Sequence, residues 1–260
     1  MHYYLRLMGL AGIGLPLVFF TFAGRVATAQ TCGAPCDGYC PVGECEGPAA
    51  NFGGQCPANA RNINGFCCQA ETPIIIDVDG SGFHLASLGD GVCFDVASNG
   101  SKPKVSWTDG GSTNAWLALD RNGNGKIDGG AELFGNATPQ PNPPDGVARN
   151  GFLALAIFDR PENGGNGDGL IDPQDEIFDK LLLWQDLNHD GISQSGELKH
   201  LRDFGIKAIK LNYSESRKED TFGNLFRYRS QIDQTDGPSV DRWTYDVILV
   251  VGSPQPGSPQ

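Results

Sequence analysis

Residues 186–197 combine residue types and a spacing that suit a calcium ion. They match D-x-[DN]-x-[DN]-G-x5-E, the pattern of an EF-hand calcium loop, at every specified position. Gly191 permits the sharp turn at position 6, and Glu197 at position 12 is long enough to bind through both carboxylate oxygens. The alternative is a polar surface turn. The residues of this loop, loop 3, that are expected to bind calcium are Asp186, Asn188, Asp190, Ile192 through its carbonyl, and Glu197.

A related loop, loop 1, runs from residue 120 to residue 132. It repeats the first nine positions of the pattern, but position 12 is Ala131 and the acidic residue arrives one position late. Either the loop is one residue longer than usual, or a water molecule and the acid at position 9 replace the missing ligand. A structural turn is the alternative. The residues expected to bind calcium are Asp120, Asn122, Asn124, Lys126 through its carbonyl, Asp128 and Glu132.

A third copy, loop 2, ends at Asp175 and contains an insertion. When Asn166 is counted as position 3, position 1 falls on Gly164, which offers no ligand. We infer that Asp159 is the displaced ligand of position 1. A structural turn is again the alternative. The residues expected to bind calcium are Asp159, Asn166, Asp168, Leu170 through its carbonyl, Asp172 and Asp175.

Three such loops within about eighty residues are hard to explain without a shared ligand. A fragment that begins at Asp77 lacks an acid at position 12, and one that begins at Asp95 matches less of the pattern, so simple turns are favoured there. In paired EF-hand loops position 8 supplies a short β-bridge. Ile127 and Ile171 fill that position in loops 1 and 2, whereas loop 3 has Ser193. We therefore predict that loops 1 and 2 pair with each other.

Residues 1–29 have the features of an export signal. Arg6 is the only early charge, the run from Leu7 to Ala23 is almost wholly apolar, and Ala27-Thr-Ala29 provides an A-x-A cleavage site. The apolar run of 17 residues is short for a bilayer span. We expect cleavage rather than a retained anchor, no membrane span in the mature chain, and a secreted, periplasmic or cell-surface location.

The net charge of the 260-residue chain is −12, from 31 acidic and 19 basic residues. Many of the acidic residues lie in the three loops, where they repel one another at short range when no metal is bound. No basic surface for nucleic acid is visible, so we expect no nucleic-acid partner.

All eight cysteines lie before residue 94, and seven of them fall between residues 32 and 68. Behind an export signal, an even number of cysteines predicts a disulfide framework rather than a zinc site. Residues 30–70 are poor in large aliphatic side chains and are expected to form a small, loop-rich module. We expect Cys93 to tie this module to the main domain.

The main domain is expected to span residues 71–251 and to belong to the α+β class, with short strands and short helices around the calcium loops. Residues 252–260 are rich in Pro, Gly and Ser and are expected to be disordered. Runs of β-branched and aromatic residues predict strands. The predicted strands lie at residues 73–77, 92–95, 105–107, 115–119, 206–211, 225–229 and 243–251, with a hairpin turn at Gly223-Asn224.

Helices are predicted at three places, each next to a calcium loop. Asn150 is expected to cap a short helix before loop 2. Asp172 and Pro173 are expected to cap and open a second helix, although residues 181–184 could equally form a strand. A third helix should follow loop 3, because apolar residues recur every three positions before a stop at Gly205.

Three segments in order resemble a module of secreted bacterial proteins. Residues 116–135 are similar to its LDRNGNGxIDxGxELFG segment, residues 150–159 to NGFxALAxFD, and residues 183–198 to LWQDxNxDGxSxxGEL. The resemblance covers residues 73–213 and implies EF-hand-like calcium binding on an exported protein, often beside haemolysin-type repeats, which are absent here. It also implies that the late acid, Glu132, is a ligand.

The leading hypothesis is an extracytoplasmic protein in which calcium (Ca²⁺) stabilises the fold and a surface for an extracellular protein or polysaccharide. One alternative is calcium-dependent self-cleavage at Asp172-Pro173, as in some proteins with similar modules. The other alternative is a dockerin-like docking module. The sequence has no G-x-S-x-G, H-E-x-x-H or P-loop, so we do not expect an enzyme with a familiar active site.

Overall fold

The computed structural model describes residues 71–234 and 242–252 in full and, nearer the N-terminus, the backbone of three short strands. The expected signal at residues 1–29 and the tail from residue 253 lie outside the described residues. So do the side chains of the seven cysteines before residue 69, and the disulfide framework predicted for them is therefore not seen. Cys93, which does lie in the described part, is disulfide-bonded.

Strands account for most of the regular structure in the described residues. They are β1 Cys45–Pro48, β2 Ala60–Ile63, β3 Phe66–Gln69, β4 Ile74–Ile76, β5 Val92–Cys93, β6 Lys104–Val105, β7 Ala115–Ala118, β8 Leu170–Ile171, β9 Leu182–Trp184, β10 Leu198–His200, β11 Ile206–Lys210, β12 Ser214–Glu219, β13 Leu225–Gln234 and β14 Arg242–Ile248.

One antiparallel sheet of nine strands organises the domain. Its order is β10-β9-β7-β4-β14-β13-β11-β8, and β12 pairs with β13. Two smaller sheets, β1-β3-β2 and β5-β6, complete the strand pairing. Loop 1 follows β7, and loop 3 connects β9 to β10 as a hairpin.

The central strands of the sheet, such as β4 and β7, are buried on both faces. Ile74 and Ile76 of β4 point into one hydrophobic cluster, the first core, which includes Phe152 and Leu183. Ile75 between them points into the second core, which includes Phe94 and three tryptophans, Trp107, Trp116 and Trp184. Side chains alternate across a strand, so a wholly apolar run such as that of β4 belongs to a strand covered on both sides.

The α-helical content of the described residues is one short helix, α1, at Gly151–Leu155. Its predicted cap is confirmed, because the Asn150 side chain accepts a hydrogen bond from the Leu153 N–H at 2.9 Å. Short 3-10 helices lie at Leu88–Asp90, Pro161–Asn163, Phe178–Lys180 and Leu201–Phe204. Across residues 71–234 and 242–252 we find no helix with the length and apolar character that a bilayer crossing requires.

The predicted α+β class is wrong, since the described residues are almost entirely β. The predicted helix after loop 3 is the strand β10 followed by a 3-10 turn that ends at Gly205, φ 68°. The helix predicted from Pro173 is a turn followed by the 3-10 helix at Phe178–Lys180. The loop–helix pairs of an EF-hand or a dockerin are therefore missing from the described residues. Short apolar repeats do not separate such segments from a helix, and pairing with a neighbouring strand decides the outcome.

The strand predictions agree better with the structure than the helix predictions do. The runs predicted at residues 73–77, 115–119, 206–211 and 243–251 are confirmed as β4, β7, β11 and β14. The hairpin at Gly223-Asn224 joins β12 to β13, and Glu219 pairs with Leu225 across it. The ambiguous run at residues 181–184 is the strand β9, which lies between β7 and β10.

Candidate metal centre in the acidic loops

Each loop is built around an aspartate that accepts hydrogen bonds from the backbone of its own turn. In loop 1, Asp120 Oδ1 accepts the Gly123 N–H and Oδ2 accepts the Gly125 N–H, both at 2.8 Å. In loop 3, Asp186 Oδ2 accepts the Gly191 N–H at 2.8 Å. These bonds are local in sequence, and they fix position 1 against position 6 in both loops and against position 4 in loop 1.

Loop 2 makes the same turn across its insertion. Asp159 accepts the N–H of Gly167 at 2.9 Å through Oδ1 and that of Gly169 at 3.0 Å through Oδ2. Asp159 therefore occupies the place of position 1. The inserted residues form the 3-10 helix Pro161–Asn163, and the chain then returns so closely that a Cβ on Gly165 would lie 2.2 Å from the Asp159 carbonyl carbon.

The acid that closes each loop reaches back to the loop's start. In loop 3, Glu197 accepts the N–H of Leu187, at position 2, at 2.9 Å, and that of Gln194, at position 9, at 3.2 Å. In loop 1, Glu132 accepts the N–H of Arg121 at 3.0 Å and that of Asp128 at 2.8 Å, which are also positions 2 and 9. The late acid thus takes the usual position of the closing ligand, and loop 1 is one residue longer.

Loop 2 closes in a similar way through a shorter acid. Asp175 accepts the N–H of Asn166 at 3.2 Å through Oδ1 and that of Asp172, at position 9, at 2.8 Å through Oδ2. The closing acids of all three loops are almost fully buried, whereas the residues at positions 3 and 5 lie at the surface or near it.

The remaining side chains of each loop converge on one another. The Asn124 amide donates to Asp128 Oδ2 at 2.5 Å, which joins positions 5 and 9 of loop 1. The Asn166 amide donates to Asp168 Oδ2 at 2.8 Å in loop 2. In loop 3 the Asn188 amide donates to Asp190 Oδ2 at 2.8 Å. Each loop therefore gathers its oxygen-bearing side chains in one small volume.

The residue at position 7 makes the same backbone hydrogen bond in each of the three loops. The N–H groups of Lys126, Leu170 and Ile192 each donate to the side chain at position 5 of their own loop, at 2.8 to 2.9 Å. The carbonyls of these three residues are expected calcium ligands. The hydrogen bonds at position 7 hold the backbone to which these carbonyls belong.

Burial and like charge act on two of these acids. Burial raises the pKa of Asp186, backbone hydrogen bonds from Gly191 and Asp190 lower it, and the nearby Glu197 carboxylate raises it. Burial likewise raises the pKa of Asp175, with a smaller contribution from Asp159. A bound cation would relieve this repulsion.

Backbone dihedral angles extend the pattern to five loops. Positions 4 and 6 have positive φ in loops 1 to 3 and in the fragments that begin at Asp77 and Asp95. Asp77 and Asp95 also accept the N–H of Gly82 and Gly100, at 3.0 and 2.8 Å. These two fragments, for which simple turns are favoured, therefore share the turn geometry of the three loops. Among the described residues, the two non-glycine residues with positive φ are Ser98 and His189, and both stand at position 4.

The predicted pairing of loops 1 and 2 is wrong. Ile127 of loop 1 lies against Ser193 of loop 3: the Ile127 N–H donates to Ser193 Oγ at 2.7 Å, and Oγ donates to the Ile127 carbonyl at 3.3 Å. The corresponding Ile171 of loop 2 pairs with Ile209 of β11 instead. The Ser193 hydroxyl thus takes the place of a backbone bridge.

Within residues 71–234 and 242–252, no group of three or more His, Cys, Asp or Glu side chains is arranged to hold a metal ion. The three loops also present asparagine and carbonyl oxygens, and an oxygen-only donor set of this kind suits Ca²⁺. The residues present therefore fit calcium in their chemistry.

The comparison with protein families decides the classification. The model of the SPM domain matches residues 74–249, which is most of the chain and includes all three loops. The chain belongs to the SPM-domain family. The predicted EF-hand-like module is thereby corrected, because the matching family is the SPM domain and the described residues lack the two flanking helices that each EF-hand loop requires.

A curated relative carries a similar domain. The chain is 38% identical to the iron-regulated protein FrpA of Neisseria meningitidis serogroup C over 167 residues. The match covers 64% of this chain but only 14% of FrpA, so the chain spans a small part of the length of that relative.

Proposed function

We propose that this SPM-domain protein binds calcium outside the cytoplasm, and that calcium stabilises the fold and a surface for an extracellular protein or polysaccharide. The observation that carries the proposal is that three loops of different sequence place positions 1 and 9 and the closing acid in the same hydrogen-bonded arrangement. The export-like N-terminus supports an extracytoplasmic location.

The negative charge of the three loops favours a bound cation. Loops 1, 2 and 3 hold three, four and three expected acidic ligands, so ten of the 31 acidic residues of the chain lie in three short turns. Extracellular calcium sites of this general kind have Kd values of about 10⁻⁴–10⁻³ M. A site whose Kd is exceeded 100-fold by the ligand concentration stabilises the folded state by about 2.7 kcal/mol.

The test is a calorimetric calcium titration of the oxidised chain from Gln30, with thermal unfolding in chelator and in calcium. We expect two or three sites and a large rise in Tm. The variant Asp190→Ala should remove the site in loop 3, whereas Asp145→Asn, an exposed acid outside the loops, should leave calcium binding unchanged. Absence of heat and of a Tm shift would reject the proposal.

A second candidate function is self-cleavage at Asp172-Pro173. One observation favours it: the helix that would explain the proline is absent. Asp172 instead forms a turn in which its carbonyl accepts the Asp175 N–H at 2.9 Å and its Oδ1 accepts the Gln174 N–H at 2.7 Å. Pro173 is exposed.

The self-cleavage reaction would use atoms of the chain itself and a water molecule. A carboxylate oxygen of Asp172 would attack the carbonyl carbon of the same residue to form a five-membered cyclic anhydride. The C–N bond to Pro173 would break as the proline nitrogen takes a proton from solvent water and leaves as an amine. Water would then open the anhydride and restore two carboxyl groups. The hydrogen bond from the Asp175 N–H polarises the carbonyl that is attacked, and Asp175 belongs to loop 2.

Mass spectrometry after calcium addition tests this candidate. Cleavage predicts a fragment that begins at Pro173, and Asp172→Asn should abolish it. Asp159→Ala should also abolish it if an occupied loop 2 is required, whereas Asp190→Ala should not. An intact chain after prolonged incubation with calcium would exclude self-cleavage and would leave calcium binding as a separate question.

A further inference from the structure

The closing acid of loop 3 has a partner that the other loops lack. Trp184, the last residue of β9, donates its indole Nε1–H to Glu197 Oε2 at 3.3 Å. Glu197 Oε2 also accepts the Gln194 N–H, and Oε1 accepts those of Leu187 and Asn188. Four N–H donors therefore hold this carboxylate, and one of them is a side chain of the second core.

The hydrogen bonds found for the corresponding acids of loops 1 and 2 come from the backbone. Glu132 receives the N–H groups of Arg121 and Asp128, and Asp175 receives those of Asn166 and Asp172. Loop 3 is thus the loop whose closing acid is connected to the hydrophobic core by a side-chain hydrogen bond.

The indole of Trp184 is held in place by its neighbours. It is fully buried, and its ring centroid lies 5.4 Å from that of Trp107 and 5.5 Å from that of Phe94. The indole nitrogens of Trp107 and Trp116 in the same cluster are also buried, yet neither makes a hydrogen bond. The cluster therefore contains three similar side chains, of which Trp184 is the one that contacts a loop ligand.

We propose that Trp184 is a positioning residue for the calcium site of loop 3. By donating to one oxygen of Glu197, it orients the carboxylate that closes the loop, and it transmits occupancy of the loop to the aromatic cluster. This inference rests on the proposed calcium binding. Groups that orient a metal ligand in this way commonly contribute 10–100-fold to metal affinity.

The test compares Trp184→Phe with Trp107→Phe. Both variants keep an aromatic ring in the cluster and lose an indole N–H, but only the first loses a hydrogen bond to a ligand. In a calcium titration followed by NMR, the backbone amides of Gly125, Gly169 and Gly191 report loops 1, 2 and 3 separately. We expect Trp184→Phe to weaken loop 3 about 10-fold and to leave the other two loops unchanged. Trp107→Phe should change none of the three affinities.

A measurement on the unaltered protein covers the case in which Trp184→Phe does not fold. The chain has four tryptophans and hence four indole N–H signals. The signal of Trp184 should shift as the Gly191 amide titrates with calcium.

The two proposals fail in different ways. If loop 3 binds calcium as tightly in Trp184→Phe as in the unaltered protein, or if the Trp184 signal stays fixed while Gly191 titrates, the positioning role is wrong and calcium binding stands. If none of the three glycine amides responds to calcium, the proposed calcium binding is itself wrong.

Discussion

Asp246 accepts a hydrogen bond from the backbone N–H of Gly151 at 2.5 Å, although the two residues lie 95 positions apart. Asp246 is completely buried on β14, and its Oδ2 also accepts the hydroxyl of Thr72 at 3.2 Å. Its other oxygen has no hydrogen-bond partner. This bond ties the central sheet to the start of α1, and α1 leads into loop 2.

The stability of the protein should therefore decrease as the pH rises towards about 8 and should level off above that value. Burial raises the pKa of Asp246 from 3.8 to about 8, with Arg227 acting to lower it and Glu71 to raise it. Burial also raises the pKa of Glu71 to about 7, against the opposing effect of Arg149. The folded state thus keeps protons that the unfolded state would release. The stabilisation is complete below the unfolded pKa values and is lost as the pH passes 7 and then 8.

Urea unfolding between pH 6 and pH 9 measures this effect. Each proton contributes a slope of about 1.4 kcal/mol per pH unit in its range. Asp246→Asn should reduce the slope at every pH up to about 8, whereas Glu71→Gln should reduce it only up to about pH 7. An unchanged slope in Asp246→Asn would show that this carboxyl is not the group that titrates.

Ser193→Ala should destabilise the junction between loops 1 and 3. The variant leaves the buried N–H of Ile127 without its acceptor, which costs about 1–3 kcal/mol. It should also reduce any cooperativity between calcium binding to these two loops, measured by site-resolved NMR. Ser195→Ala, at an exposed serine of the same loop, is the matched control. Equal behaviour of the two variants would contradict a bridging role for Ser193.

Gly125→Ala tests the turn geometry of loop 1 without steric conflict. Gly125 has φ +78°, and a Cβ at this position would meet no atom within 4 Å. The cost should therefore be that of a left-handed backbone alone, about 1–2 kcal/mol in chemical unfolding. Gly196→Ala is the control, because its Cβ would also meet no atom and its φ lies outside the positive region. A neutral Gly125→Ala would mean that the turn adopts another conformation in solution.

Asp159→Ala should disable loop 2 and leave loops 1 and 3 intact. The change removes the acceptor for the N–H groups of Gly167 and Gly169, so the turn loses both anchors together with its ligand at position 1. Calcium titration should show one site fewer and a lower Tm. An unchanged number of sites would show that Asp159 only organises the turn.

The sequence predicts the hydrogen-bonded contacts within each turn because those contacts join residues that are close in the chain. Asp159 was inferred across an insertion, and the structure places it on the N–H groups of Gly167 and Gly169. The spacing of loop 1 allows two roles for Glu132, and its bonds to Arg121 and Asp128 select the longer loop. A glycine at position 6 in both the Asp77 and the Asp95 fragments is the sequence feature that indicates the same turn there.

The helix prediction after loop 3 is wrong because its short apolar repeat is compatible with both a helix and a strand. Leu198, Leu201 and Phe204 recur at a helical spacing, yet Leu198 pairs with Trp184 in the sheet and Leu201 enters the first core. Three apolar residues do not fix a helix, because so short a helix has little stability of its own. The neighbouring strand β9 supplied the partner that made β10.

By itself the sequence determined the turns, since each is held by an aspartate and a glycine within about ten residues, and short-range hydrogen bonds of this kind need no distant partner. It also determined the buried strands, because uninterrupted β-branched runs such as Ile74–Ile76 suit a sheet covered on both faces. Only the tertiary structure decided which loops meet and which acids are buried. The contact of Ser193 with Ile127, that of Trp184 with Glu197 and that of Asp246 with Gly151 depend on the order and register of strands. That order is set by packing of the two cores together, which no local pattern encodes.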